Sequence, residues 1–145
     1  MLAILSAALS AVSVSSARAA DESIWSALVL ATNEEHPKQA CPELERYWTK
    51  LKSIFPNYNQ FELLGQHSVV TNGFGEHWLV PREDFSLHVE CKKSEKPGFS
   101  HMKLDLYQEK KLLAEMEVRL SGQNVFFIRG PNYDNGRIII ILMVK

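Results

Sequence analysis

Residues 85–120 read FSLHVECKKSEKPGFSHMKLDLYQEKKLLAEMEVRL, and their spacing decides the fold class. In FSLHVEC, Phe85, Leu87, Val89 and Cys91 alternate with Ser86, His88 and Glu90. A strand turns successive side chains to opposite faces, so the first set belongs to a core and the second to solvent. SHMKLDLYQ repeats the pattern with Met102, Leu104 and Leu106 against His101, Lys103, Asp105 and Tyr107. KLLAEMEVRL repeats it again with Leu112, Ala114, Met116, Val118 and Leu120 against Glu115, Glu117 and Arg119. The connections KKSEKPGF and Gln108–Lys110 are short, which fits an antiparallel meander with one wet face.

Outward from this centre, NQFELLGQHSVVT (59–71) reads as a long strand with Gly65 as a candidate bulge, and EHWLVP (76–81) as a short or edge strand ended by Pro81. The C-terminal segments differ. Val125–Arg129 and Arg137–Val144 are apolar on both alternating sets, which requires cover on both faces. The run Ile138–Val144 is too short to span a membrane as a helix, and its four consecutive isoleucines favour a strand. Asp134-Asn135-Gly136 supplies the hairpin turn between these segments.

At the other end, SIWSALVLAT (23–32) reads as a first buried strand, or as a helix continuing the segment before it. One amphipathic helix is expected next. Pro42 suits its first position, and Leu44, Tyr47, Trp48, Leu51, Ile54 and Phe55 form one apolar face. Pro56 stops it. The expected fold is mainly β (α+β): an antiparallel β-sandwich or flattened barrel of seven to eight strands, with one helix after the first strand.

The first nineteen residues, MLAILSAALSAVSVSSARA, are small and apolar and contain no acid. Ala17-Arg18-Ala19 matches a signal-peptidase site, which implies a cleaved leader over 1–19, a mature start at Ala20 and a periplasmic or secreted protein. No Lys or Arg precedes the apolar run, a departure from the usual export signal. Leu2–Val14 is too short to remain as a spanning anchor. Residues 20–145 then make one β-rich domain.

The chain carries a net charge of −1, and loss of Arg18 with the leader makes it −2. This balance argues against a nucleic-acid partner, which calls for a basic stripe. Lys92, Lys93 and Lys96 cluster, but Glu90 and Glu95 interrupt them, as on a solvated hairpin tip. Two cysteines, Cys41 and Cys91, permit one disulfide in an oxidising compartment, at a gain of about 4 kcal/mol if it forms without strain. Two separate buried thiols are the plainer expectation.

The catalytic inventory is thin. Ser121-Gly122 lacks the flanking glycine of a nucleophile elbow, and Gly73-Phe74-Gly75 lacks the Lys and helix of a phosphate loop. Glu83, Asp84, Glu115 and Glu117 fit solvated charges better than the enclosed pair of a glycosidase. Among His36, His67, His77, His88 and His101, no pair has ligand spacing. A meander can bring His88 and Glu90 beside His101 and Asp105, a donor set suited to zinc, although polar residues on that face are also what a wet sheet requires. Trp78, Arg129 and Tyr133 are the candidates for a sugar or small-ligand platform; the plainer roles are a core cap for Trp78 and a structural one for Arg129. No cofactor is implied.

The segments ALVLATNEEHP, FELLGQHS, EHWLVP, LDLYQEKKLLAE and FIRGPNYDNGRIIIIL together resemble a group of small exported bacterial proteins of unknown function, across most of residues 24–144. The resemblance implies a layout of a helix followed by strands and carries no activity. The expected function is therefore a non-catalytic envelope interaction or assembly module, engaging another envelope protein through a sheet edge or loops. A carbohydrate- or small-ligand-binding domain is the alternative, with a metal-dependent hydrolase third.

Overall fold

A computed structural model describes residues 22–71, 74–92, 99–121 and 125–144. Residues 1–19, the expected leader, and most of the Lys92–Lys96 cluster, expected at a hairpin tip, lie outside the described residues. The chain forms β1 (Glu22–Thr32), α1 (Pro42–Glu45), α2 (Trp48–Ile54), β2 (Gln60–Thr71), β3 (Gly75–Arg82), β4 (Phe85–Lys92), β5 (Phe99–Gln108), β6 (Lys111–Ser121), β7 (Val125–Tyr133) and β8 (Gly136–Val144). The strands make two antiparallel four-stranded sheets, ordered β2-β1-β8-β7 and β3-β4-β5-β6. No ladder joins β2 to β3 or β6 to β7 among the described residues, so backbone hydrogen bonds do not close a barrel.

The second sheet follows from the alternation in residues 85–120. Phe85, Leu87, Val89, Cys91, Met102, Leu104 and Leu106 all enter the core between the sheets. Glu109 turns the β5–β6 connection with a φ of 53°, and its N–H donates to the Asp84 carbonyl at 2.8 Å.

β1 and β8 are the central strands of the first sheet, and each is buried on both faces. Ile24, Leu28, Leu30, Ile138, Ile140, Leu142 and Val144 face the second sheet. Ala27, Val29, Ala31, Ile139 and Ile141 face the opposite way, under Leu44, Tyr47, Leu51 and Phe55. The apolar face read from 42–55 therefore covers the outer side of this sheet. The expected single helix is instead two short ones, broken at Arg46-Tyr47. Tyr47 adopts φ −98°, ψ −4°, and its N–H reaches back only three residues to the Leu44 carbonyl at 2.9 Å. Its ring is held by Trp25 at 6.0 Å and edge-on by Phe127 at 6.1 Å. These tertiary contacts coincide with the break. Ile54, expected on the apolar face, is exposed.

The bulge at Gly65 follows from the parity of the side chains on either side of it. Phe61 and Leu63 face the helices, whereas Val69 packs into the inter-sheet core. All three are odd-numbered, so a regular strand would put them on one face. An extra residue opposite Leu28/Val29, where Leu28 pairs with Gly65 and Val29 with Leu63, reverses the alternation. At this point β2 approaches β3 so closely that a Cβ on Gly65 would lie 1.6 Å from the Pro81 carbonyl oxygen. The same seam is stitched by the Val80 N–H donating to His67 Nδ1 at 3.0 Å and by a 2.9 Å hydrogen bond between Thr71 Oγ1 and His77 Nε2.

The final hairpin turns through Asp134 (φ 45°) and Asn135 (φ 60°), the paired positive values of a two-residue type I′ turn. Gly136 begins β8 and lies against β1, where a Cβ would stand 2.3 Å from the Ala31 carbonyl oxygen. The Ile138–Val144 run is thus a buried strand, and among the described residues no helix is long and apolar enough to cross a membrane. Gly65→Ala is expected to destabilise the fold by about 3 kcal/mol, because the new methyl meets backbone that cannot rotate away. Urea unfolding of the variant checks this, and a loss below about 1 kcal/mol would show that the β2–β3 seam is pliable.

Candidate functional site

In β3, Leu79 is fully buried and takes the core position. Alternation then sends Trp78 and Val80 to the outer face of the second sheet, where they are 51 % and 48 % exposed. Trp78 therefore does not cap the core. The register aligns Trp78, His88, Asp105 and Glu115 in one cross-strand row. The adjoining row holds Ser86, Tyr107 and Leu112. A bulge between Leu106 and Tyr107 sets this row, sending Leu113 against the core and leaving Leu112 exposed.

Trp78 lies over the His88 ring, with centroids 4.6 Å apart, and beside Tyr107 at 5.7 Å. Beneath this aromatic cover, His88 Nδ1 is 3.5 Å from Asp105 Oδ2, and its Nε2 is 3.8 Å from Glu76 Oε1. The Asp105 side chain retains only 10 % of its exposure, and its Oδ1 has no hydrogen-bond partner. Each histidine nitrogen faces a carboxylate. The described contacts of His88 are thus two carboxylates and the Trp78 ring.

The residues suggested for a metal are not assembled. Glu90 is opposite Lys103, and His101 is opposite Lys92, displaced from His88 by two rungs. His101 Nε2 instead meets Glu117 Oε2 at 3.4 Å, and Lys92 Nζ meets Glu117 Oε1 at 3.3 Å. Among the described residues no three His, Cys, Asp or Glu side chains form a group able to hold a metal ion. The bonds from Lys92, then His101, hold the Glu117 carboxyl below its ordinary pKa.

Trp78, Arg129 and Tyr133 also lie apart. Tyr133 packs edge-on against Phe85 at 5.2 Å and closes one end of the inter-sheet core, with the Arg82 guanidinium 5.9 Å from its ring centre. Arg129 is exposed on the helix side of the first sheet, its guanidinium 5.6 Å from the Phe55 ring centre. A strictly structural Arg129 is therefore not what the packing favours. Cys41 and Cys91 are not bridged: Cys41 packs among the residues beneath the helices, whereas Cys91 lies between the sheets. A cavity of about 240 Å³ beside Cys41 is lined by Lys38, Gln60, Phe61 and Leu63.

A second feature involves β6 and β7, the outermost strands on the same side of the two sheets. Their core-facing side chains Ala114, Met116, Val118, Phe126 and Ile128 are only partly buried. On the interior strands, the core-facing residues are almost wholly enclosed. The core is consequently less covered between β6 and β7 than along the interior strands. Tyr107 and Val80 were not site candidates in the sequence, and Leu112, expected on the core face with Ala114, is instead turned outward by the bulge. Their shared face depends on two bulges and a cross-strand register, although the outward parity of Tyr107 is visible in SHMKLDLYQ.

Comparison with protein-family models, curated proteins and solved structures found no match.

Two stability measurements separate the roles of the closing-hairpin residues. Tyr133→Ala is expected to cost about 3 kcal/mol through lost packing on Phe85, whereas Arg129→Ala should cost less than about 1 kcal/mol. Equal losses in denaturant unfolding would refute that assignment. In a carbon-detected NMR titration, Lys92→Ala should move the Glu117 pKa upward, because the first of its two donors is removed. An unchanged titration would show that the Lys92 contact is not maintained in solution.

Proposed function

We propose that this protein is a non-catalytic, exported interaction module that receives an extended segment of another envelope protein between β6 and β7. The observation that carries the proposal is the pair of sheet edges whose inward apolar side chains remain partly exposed. An edge strand presents unpaired N–H and C=O groups, and an added strand can satisfy them while its alternate side chains fill the adjoining core. The occupant should thus be extended, with apolar residues at every second position.

Charge on the outer face argues against casual self-association. Glu115, Glu117 and Arg119 project from β6, and charged edges discourage indiscriminate pairing between strands. The leader-like residues 1–19 and the resemblance to small exported bacterial proteins support an envelope setting. The thin catalytic inventory and the separation of His88, Glu90 and His101 support binding over hydrolysis.

A photo-crosslinking residue placed at Met116 or Ile128 in the native cell should join the chain to one defined partner, while the same residue at Glu43 should not. Crosslinks that are absent, equally strong at Glu43, or made only to a second copy of the chain would overturn this reading. Mass spectrometry of the purified native protein should find Ala20 at its amino terminus. A retained Met1 would overturn the export component.

A further inference from the structure

The geometry points to a second binding surface, independent of the β6–β7 seam: the Trp78–Tyr107 face takes a Lys or Arg side chain from a basic peptide segment. Val80, Trp78, Tyr107 and Leu112 bring apolar and aromatic surface to the outer side of the second sheet, and Leu79 already fills the core position beside Trp78. Exposed apolar surface gathered in this way is characteristic of interaction sites.

The surrounding charges select the occupant. Glu76, Asp105 and Glu115 lie in or beside the Trp78 row, whereas neither that row nor the Tyr107 row contains a Lys or Arg. The cations of this face begin in the adjoining row, with Lys103 opposite Glu90, and continue away from Tyr107 with Lys92 against Glu117 and Arg119 opposite His101. His88 supplies one contact to Asp105 Oδ2, at 3.5 Å. Asp105 Oδ1, on a side chain nine-tenths buried, still lacks a donor.

An ammonium or guanidinium group brings the two things this surface lacks, positive charge and hydrogen-bond donors. It also gains from lying against the Trp78 ring, whose π face is electron-rich. Admission to Asp105 Oδ1 requires adjustment of the aromatic cover, because that oxygen is enclosed in the structure. A sugar would use the same platform differently. Its hydroxyls would bring hydrogen-bond donors but no positive charge.

The test uses the full chain labelled for NMR and a synthetic Gly-Arg-Gly-Lys-Gly-Arg-Gly amide. Its controls are the same peptide with citrulline and acetyl-lysine replacing the cations, and chitotriose. The basic peptide should shift the Trp78 indole and Tyr107 signals while leaving Trp25 and Trp48 unmoved, and the neutral peptide should not. Trp78→Ala and Asp105→Asn should each weaken binding at least about tenfold, corresponding to about 1.4 kcal/mol. Unfolding curves and amide spectra establish that each variant remains folded; if either does not, Glu115→Gln replaces it and should weaken binding about threefold. No shifts at millimolar peptide, equal response to the neutral peptide, undiminished binding by the folded variants, or a preference for chitotriose would each overturn the proposal.

Discussion

The two-sided burial of β8 is the constraint on which the other elements depend. Ile138, Ile140, Leu142 and Val144 project into the space between the sheets, while Ile139 and Ile141 project away from it. Burial of a large aliphatic side chain is worth about 2 kcal/mol, so neither set can be left in water without a cost comparable with much of a small domain's stability. The second sheet covers one set and the α1–α2 segment covers the other. β1 shares this situation, and Gly136 lets the β8 entrance lie tightly against it.

Once the first sheet has two apolar faces, its neighbours must change sides at defined places. β2 contributes Phe61 and Leu63 beneath the helices but Val69 to the inter-sheet core, and the extra residue near Gly65 reconciles those demands. The same glycine permits close approach to Pro81, so register and sheet packing are coupled at one position. Neither this seam nor the β6–β7 side carries a ladder among the described residues, and the inward side chains of β6 and β7 are only partly buried. The β2–β3 seam is stitched by side-chain hydrogen bonds of His67 and Thr71, whereas the β6–β7 edges leave inward apolar side chains partly exposed.

The outer face of the second sheet obeys a different balance. Lys92, His101 and Glu117 satisfy one another at one end, while Trp78 covers the His88–Asp105 pair at the other. Much of this was hidden from a one-dimensional pattern. The alternation identified His88, Glu90, Asp105 and His101 as sharing a face, but only cross-strand pairing separated His101 from His88 and put Asp105 beside it. Tyr107 and Leu112 became neighbours because β6 carries a bulge, a feature with no distinctive residue in KLLAEMEVRL.

Period-two alternation determined the strands around residues 85–120, and β-branching with limited length determined that Ile138–Val144 is a strand. The Asp134-Asn135-Gly136 stretch likewise determined the final hairpin, because few residues tolerate successive positive φ values. Each of these signals is local, arising from a residue and its immediate neighbours. The break at Tyr47, the outward position of Trp78 and the separation of Trp78, Arg129 and Tyr133 were decided only in the tertiary structure. They depend on ring contacts, strand register and competition for core space between residues far apart in the chain.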